Sequence, residues 1–342
     1  MMPLMPVLLI VIVLAGTGAL LWCLPALMQR RTLFGVTVDP TFLATPGARG
    51  MVRRFRHRIL GATALTAALG AVGAWTERAW LLPAAVLMQL AVAFAAYRAE
   101  WRAALVHRSV RPVVRVASLG ERPATGVASR LTVLALTPLL LATLELRRQW
   151  QGIPDIFPMH WDATGHVNRW AHKTPLEVFF PVIMGTGLVL FLLALPPLIR
   201  WGARSPATRQ GDRNWQITTE IISLVSWLLA LVFSGVALTP LLQRPLPWVM
   251  GLALLAPLAL LTMVIWIVVR ASHLDLDDPD PTPDDGWVAG LIYFNRSDPA
   301  LFVAKRAGIG YTLNFAHRGS WLLLVMPLLL TVLAAVAIHA GH

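Results

Sequence analysis

Long apolar runs alternate with short polar connections along most of this chain. A helix needs about 20 mostly apolar residues to cross roughly 30 Å of hydrocarbon, and several stretches approach that length. The pattern predicts an all-α, polytopic transmembrane bundle of about eight spans. The predicted spans are, approximately, residues 4–28, 59–75, 80–97, 128–146, 176–199, 217–238, 248–269 and 321–340.

Composition agrees with a membrane protein. Of the 342 residues, 57% are hydrophobic and only 13% are charged, and the mean hydropathy is +0.65. Such a chain has too little polar surface to cover a soluble globule of its size. Its single cysteine, Cys23, excludes a disulfide framework and a thiolate metal site within one chain. The first apolar run has no basic residue before it, so we interpret it as a retained span rather than a cleaved signal.

The basic residues indicate how the chain is oriented. The net charge is +12, but the cations are scattered over several connections, which argues against a nucleic-acid partner. Alternate connections hold 23 of the 29 lysines and arginines, against 6 in the others. By the positive-inside rule the richer connections are cytoplasmic, which places both termini outside. The connection at residues 147–175 then faces the exterior.

The first three spans predict close packing. In the second span Ala62, Thr66, Gly70 and Ala74 recur every four residues, and small side chains at that spacing let two helices approach closely. Only residues 76–79 join the second and third spans, so these two helices should be antiparallel neighbours.

The division into parts follows the spans. We expect an N-terminal three-span module with basic linkers at 1–130, a four-span core at 131–270, a cytoplasmic segment at 271–320 and a last helix at 321–342. The cytoplasmic segment begins with a tether rich in aspartate and proline. Two β-rich runs, 287–294 and 301–304, follow it about the turn residues 295–299 and predict a small β-hairpin. After it, Lys305 and Arg306 precede a glycine-rich turn, which favours a return to the membrane over a phosphate cradle.

The outward connection concentrates the candidate chemistry. Residues Asp162-Ala163-Thr164-Gly165 predict a tight turn, with histidines on both sides of it. Two interpretations are open: hydrogen bonding at the membrane surface, or a zinc site that activates water. The zinc candidates are His160, Asp162, His166 and His172, although their spacing matches no helical metal motif. The tryptophans of this connection suit an interfacial belt.

Two blocks of the sequence resemble the SdpI-like family of bacterial membrane proteins. The first block is Ile153-Pro154 or Ile156, the run His160-Trp161-Asp162-Ala163-Thr164-Gly165, then Trp170 and Lys173. The second, from Gly290 to Phe315, is similar to an uncharacterised domain often found at the C-terminus of such proteins. The resemblance implies immunity to a secreted antimicrobial peptide, in some members coupled to membrane sequestration of a transcriptional repressor.

We therefore expect a bacterial inner-membrane protein that senses or neutralises an extracellular amphipathic peptide. Its expected partners are the lipid bilayer, that peptide and a cytoplasmic regulator. The expected ligand-binding residues are His160, Trp161, Asp162, Gly165, Trp170 and Lys173. The expected cytoplasmic output residues are Tyr293, Asn295, Lys305, Arg306, Gly308 and Gly310. No cofactor is expected unless the histidines bind zinc. The alternatives are a metal-dependent membrane hydrolase using those histidines and a small-solute transporter depending on Glu145 or Glu220.

Overall fold

The protein is described by a computed structural model that is mostly helical and divides into two compact units. The first unit comprises residues 1–121, 204–215 and 261–316, and the second comprises 122–203, 216–260 and 317–342. Each unit is described by itself. The residues that the structure describes are 4–28, 31–76, 78, 80–109, 127–161, 167–203, 209–242, 262–263, 266, 282, 284–306, 310–326, 329 and 332.

Eight α-helices are named within these residues: α1 (Leu4–Cys23), α2 (Pro40–Leu43), α3 (Pro46–Trp75), α4 (Leu81–Leu105), α5 (Val127–Leu134), α6 (Leu136–Arg148), α7 (Pro175–Gly202) and α8 (Arg209–Ala237). Four antiparallel strand pairs accompany them: β1 (Thr32–Leu33) with β2 (Val36–Thr37), β3 (Ile156–Trp161) with β4 (Val167–His172), β5 (Trp287–Val288) with β6 (Ile292–Tyr293), and β7 (Phe302–Ala304) with β8 (Tyr311–Leu313).

Five helical segments of the described chain are long and apolar enough to cross a membrane: Ile10–Leu27, Pro46–Trp75, Leu81–Leu105, Pro175–Gly202 and Asn214–Leu241. They confirm the first, second, third, fifth and sixth predicted spans. The chain is thus a membrane protein with several apolar helices. Most of the seventh and most of the eighth predicted span lie outside the described residues, so the total of eight stays a prediction.

The fourth predicted span is interrupted rather than continuous. It forms α5 and α6, with Ala135 between them. Pro138 explains the break, because proline has no N–H to donate to the carbonyl four residues earlier, that of Leu134.

The three helices α1, α3 and α4 pack closely in the first unit. A Cβ at Gly18 would lie 2.1 Å from the Thr63 hydroxyl, and one at Gly70 would lie 2.7 Å from Ile10. These pairings make α1 and α3 antiparallel, and they confirm the predicted helix pair with Gly70 at its contact. Helices α3 and α4 are also antiparallel, because Gln89 of α4 donates to the Thr63 hydroxyl whereas Glu100, further along α4, pairs with Arg54, earlier in α3. Gln89 also donates to the Leu14 carbonyl of α1.

A buried ion pair extends the contact between α3 and α4. Glu100 is only 2% exposed, and its carboxylate accepts hydrogen bonds from Arg54 at 2.8 Å and from Arg58 at 3.1 Å. Hydropathy alone ended the third span at residue 97, whereas α4 continues to Leu105. The charged end of α4 is stable as a helix because this carboxylate is paired with two guanidinium groups.

Two tight turns meet back to back in the first unit. The β1–β2 turn places Phe34 at φ 47° and Gly35 at φ 75°, and the β5–β6 turn places Ala289 at φ 52° and Gly290 at φ 67°. Positive φ at both central residues is the geometry of a tight hairpin turn. A Cβ on either glycine would lie 2.5 Å from the Cα of the other. The two backbones can approach this closely only because both positions are glycine.

The predicted pairing of residues 287–294 with 301–304 is wrong. The first run folds on itself as β5 and β6, and Phe302–Ala304 pairs with Tyr311–Leu313. The reason is the turn at Ala289-Gly290, which reverses the chain inside the first run. Asn314 then joins the two strand pairs: its side chain accepts from the Asn295 amide at 3.0 Å and donates to the Asn295 carbonyl at 2.8 Å.

Four separate connections of the chain meet in the first unit. The Ser109 amide donates to the Thr37 carbonyl, Arg108 pairs with Asp285 at 3.0 Å, and the Asn214 side chain exchanges two hydrogen bonds with the Gly310 backbone. These residues come from the four alternate connections that together hold 23 of the lysines and arginines, called here the cation-rich connections. Loops in mutual contact must lie on one side of a bilayer, as the charge alternation predicts. Which side is cytoplasmic stays a prediction.

The second unit packs α6, α7 and α8 around a core that includes Leu139, Val182, Val189 and Ala230. A Cβ at Gly185 of α7 would lie 2.6 Å from Phe233 and 2.9 Å from Leu139, so the three helices approach closely there. The Trp227 indole donates to the Leu131 carbonyl at 2.9 Å, which ties α8 to α5.

Candidate binding hairpin

The connection at 147–175 folds into a β-hairpin. Ile156 pairs with His172, Phe157 with Ala171 and Pro158 with Trp170, and the register shifts on either side of His160. The pairing confirms that the chain folds back near the predicted turn. Residues 162–166, which include Asp162, Gly165 and His166, lie outside the described residues.

One face of the hairpin is buried in the core of the second unit. Ile153, Phe157 and Ala171 are each at most 3% exposed and belong to the same cluster as Leu146 and Val178. Strand β3 also packs against the 3-10 turn Thr239–Leu242. Both connections were predicted to lie on the same side of the bilayer, and this contact agrees with that prediction.

A carboxylate fixes the end of β4 to the start of α7. Glu177 is 5% exposed and accepts a hydrogen bond from the backbone N–H of His172. The Thr174 hydroxyl accepts from the Glu177 amide at 3.3 Å and caps the helix. Glu177 is buried although it lies near the end of an apolar span, because it satisfies a strand amide at the positive end of the α7 dipole.

Aromatic and cationic groups stack at the base of the hairpin. The Trp150 and Phe179 rings are nearly parallel, at 4° and with centroids 6.1 Å apart. The Lys173 ammonium lies 5.7 Å from the centre of the Trp150 ring, within the range of a cation–π interaction. The Lys173 amide also donates to the Asp155 carbonyl at 2.9 Å. Lys173 therefore stabilises the base of the hairpin, a contact that the sequence did not indicate.

The opposite face of the hairpin is open. Trp170 is 59% exposed and Ile156 is 54% exposed, and His172, which shares their face of the strand pair, is also exposed. An exposed indole next to an exposed isoleucine on a ribbon anchored by its other face offers apolar area for a ligand. Of the expected ligand-binding residues, Trp170 is exposed on this open face. The side chains of His160 and Trp161 are outside what the structure describes.

The zinc hypothesis stays untested. His160 pairs with Arg169, three residues along β4 from His172, which corresponds to about 10 Å along the strand. The two histidines are therefore not neighbours in the ladder. No group of three or more potential metal ligands occurs among the residues that the structure describes, and Asp162 and His166 are not among them.

Several of the expected output residues hold the strand pairs of the first unit together. Arg306 is 1% exposed; it donates to the Thr282 carbonyl at 2.6 Å and the Gly35 carbonyl at 3.3 Å, and its guanidinium lies 5.1 Å from the centre of the Trp287 ring. The Tyr293 hydroxyl donates to Asp298 at 2.8 Å and accepts from the Asn295 side chain.

The glycine-rich turn after β7 is closed by backbone contacts. The Lys305 amide donates to the carbonyl of Gly310, which has φ 99°. Burial lowers the pKa of the Lys305 ammonium. Gly308 lies outside the described residues. An output role for this set stays a prediction.

We expect Glu177→Ala to loosen the hairpin without unfolding the unit. The His172 amide would lose a charge-assisted hydrogen bond of about 1.5 kcal/mol or more, so its hydrogen exchange should accelerate roughly tenfold. Exchange of peptides covering 167–176 measures the effect. Glu145→Ala is the matched control, since that carboxylate accepts hydrogen bonds from the side chains of Arg148 and Gln149. Equal exchange in both variants would contradict the anchoring role.

Two family models match parts of the chain. A domain of unknown function (DUF1648) matches residues 144–185, which contain the whole hairpin and the start of α7. A family of unknown function (DUF5808) matches residues 296–321, which contain β7, β8 and Asn314. Both are of a kind typical of membrane proteins. Neither the curated proteins nor the solved structures gave a match.

Proposed function

We propose that this protein is a multi-pass membrane protein of the SdpI-like type that binds an extracellular amphipathic peptide on the open face of its hairpin and so protects the cell membrane. The observation that carries the proposal is Trp170, an indole 59% exposed on a ribbon whose other face is fixed in a core. Exposed large aromatics on a rigid support are the usual anchors of binding surfaces.

The hairpin is well suited to bind a flexible peptide because it is organised before binding. Glu177 and the Lys173 amide fix the base of its ladder, and Phe157 and Ala171 fix its inner face. A preformed site loses less conformational entropy on binding, so more of the contact energy contributes to affinity. Trp170 and Ile156 supply apolar area, and His172 supplies hydrogen-bonding nitrogens on the same face of the strand pair.

The position of the hairpin in the chain supports an extracellular role. The charge alternation predicts that 147–175 lies outside the cytoplasmic membrane, where a secreted peptide arrives. The four cation-rich connections, including β5 to β8, would then form a cytoplasmic body. This body is where a signal to a cytoplasmic regulator would leave the protein, with the exposed residues beside Asn295 as its candidate contact.

A growth-protection assay tests the proposal. Cells expressing the protein would be challenged with synthetic amphipathic peptides that span acidic, neutral and basic net charge. We expect wild-type protein to raise the inhibitory concentration of at least one peptide. Trp170→Ala should lose most of that protection, because truncating a central aromatic anchor costs about 2 kcal/mol, or roughly 30-fold in affinity.

Trp201→Ala is the matched control. Trp201 is also exposed, at 81%, but it lies at the other end of α7, which at about 1.5 Å per residue is roughly 40 Å from the hairpin end. This variant should protect as well as wild type. Protection that survives Trp170→Ala, or that is absent for wild type against every peptide, would remove the proposal. His160→Ala with Trp161→Ala extends the same test toward the turn.

A further inference from the structure

A cavity of about 660 Å³ opens between the end of α1 and the first turns of α3. Its volume falls within the usual range for small-molecule sites. Nothing in the proposed function uses it. Its lining combines two chemistries: apolar walls from Trp22, Leu43 and Leu60, and the guanidinium groups of Arg49, Arg53 and Arg56 beside the imidazole of His57.

The arginines of α3 divide between two faces of the helix. Arg54 and Arg58 both pair with Glu100 of α4. Arg49, Arg53 and Arg56 recur every three or four residues on the other face and line the cavity. Among the residues that the structure describes, no carboxylate pairs with these three. Three guanidinium groups on one short stretch repel each other, so an anion between them would be stabilised.

Arg56 is held in a defined position, and one of its N–H groups has no hydrogen-bond acceptor among the described residues. Its guanidinium carbon lies 4.0 Å from the centre of the Trp22 ring, which is a close cation–π contact. Its Nε is buried and has no hydrogen-bond acceptor among the described residues. A buried donor without an acceptor costs free energy, which an oxygen of a bound ligand would recover. Guanidinium groups bind the oxygens of phosphate in pairs, so phosphate fits this arrangement better than a single-point anion.

The cavity also lies at the depth where a lipid headgroup would be found. The first turns of α3 carry the arginines, and the uncharged part of the helix begins at Ile59 and Leu60. This transition from charged to apolar residues marks the boundary between headgroup and hydrocarbon. A ligand with a phosphate at one end and an apolar chain at the other would match both halves of the lining.

We propose that this cavity binds the phosphate headgroup of an acidic phospholipid, with Arg49, Arg53 and Arg56 on the phosphate and Trp22 and Leu60 beside the acyl chains. The lipid joins α1 to α3 at the membrane surface. The site is independent of the hairpin and does not depend on the function proposed for it.

The thermal stability of the purified, detergent-solubilised protein tests the site. A ligand that binds only the folded state raises Tm with its concentration. We expect phosphatidylglycerol to raise Tm of the wild type, whereas phosphatidylcholine and inorganic phosphate at equal concentration should not. Arg53→Gln with Arg56→Gln should weaken phosphatidylglycerol binding at least tenfold.

Arg98→Gln with Arg102→Gln is the matched control, since both arginines are exposed on α4 and outside the cavity. It removes the same charge and should keep the full shift. An equal shift from inorganic phosphate would show a site for a free anion and overturn the lipid assignment. An equal shift from phosphatidylcholine, or none from phosphatidylglycerol, would also overturn it. The shifts in Tm that the three ligands give with wild-type protein test the lipid site even if the double variant fails to fold.

Discussion

Replacing Gly290 with alanine should open the body formed by the four cation-rich connections. Alanine at φ 67° costs roughly 1–2 kcal/mol in backbone strain. Its Cβ would also lie 2.5 Å from the Cα of Gly35, where backbone rather than a flexible side chain must move. The two turns would separate, and Arg306 would lose its bond to the Gly35 carbonyl. We expect a total cost on the order of 3 kcal/mol, or about a hundredfold in the open population.

Limited proteolysis under native conditions measures this opening. Cleavage within 284–316 should be roughly a hundredfold faster in Gly290→Ala, and Gly35→Ala should show the same change, because the two glycines share one contact. Gly61→Ala is the control: a Cβ there meets nothing within 4 Å, and the position is helical and exposed. Cleavage that is unchanged in Gly290→Ala would contradict the close approach.

The spans could be predicted because each depends on local composition alone. An apolar run such as 176–199 has few structures open to it in a membrane, so hydropathy is enough to identify a helix. The same rule fails where a polar group is satisfied by a partner. Residues 98–105 read as a linker, yet they continue α4 because Glu100 meets Arg54 and Arg58 from another helix. No local property of Glu100 reveals those partners.

The strand pairs show a second limit. The turn signal at Asn295–Pro299 was correct: the Asn295 side chain accepts from the Ser297 amide at 3.0 Å, and Asp298 accepts from the Ala300 amide. The turn at Ala289-Gly290 was overlooked, because alanine rarely adopts a positive φ and so gives no turn signal. It does so here because Gly290 packs on Gly35 and Arg306 bonds to the Gly35 carbonyl, 271 residues away in the chain. Contacts between such distant residues cannot be found in a local pattern.

The candidate hairpin shows the same difference between local sequence signals and contacts with distant residues. Sequence reasoning selected Trp170 because an aromatic residue in a connection is a local signal, and Trp170 is indeed exposed; that it binds a ligand stays a prediction. It selected Lys173 only through the family resemblance. It missed Trp150 and Phe179 as partners of Lys173, and it missed the role of Glu177. The spacing of Thr174 and Glu177 is that of a helix capping box, and it could have indicated the fixed end of the hairpin.

The sidedness of the membrane has the largest expected effect of all, since it decides whether a secreted peptide can reach the hairpin. We expect a cysteine at position 155 to react with a membrane-impermeant maleimide in intact cells, and a cysteine at position 296 to react only after permeabilisation. Both Asp155 and Arg296 are exposed, so neither substitution disturbs a core. The native cysteine would first be removed by Cys23→Ser, which leaves one reactive thiol in each variant.

This labelling result separates the parts of the proposal. The contacts among residues 37, 108, 214, 285 and 310 require the four cation-rich connections to share a side, whichever side that is. Asp155→Cys labelled only after permeabilisation, with Arg296→Cys labelled in intact cells, would reverse the orientation and end the extracellular binding role. The hairpin would keep its anchored geometry and its exposed Trp170, but its ligand would then have to come from the cytoplasm. The expected pattern would place the hairpin where a secreted peptide arrives and the first-unit body where a regulator could bind.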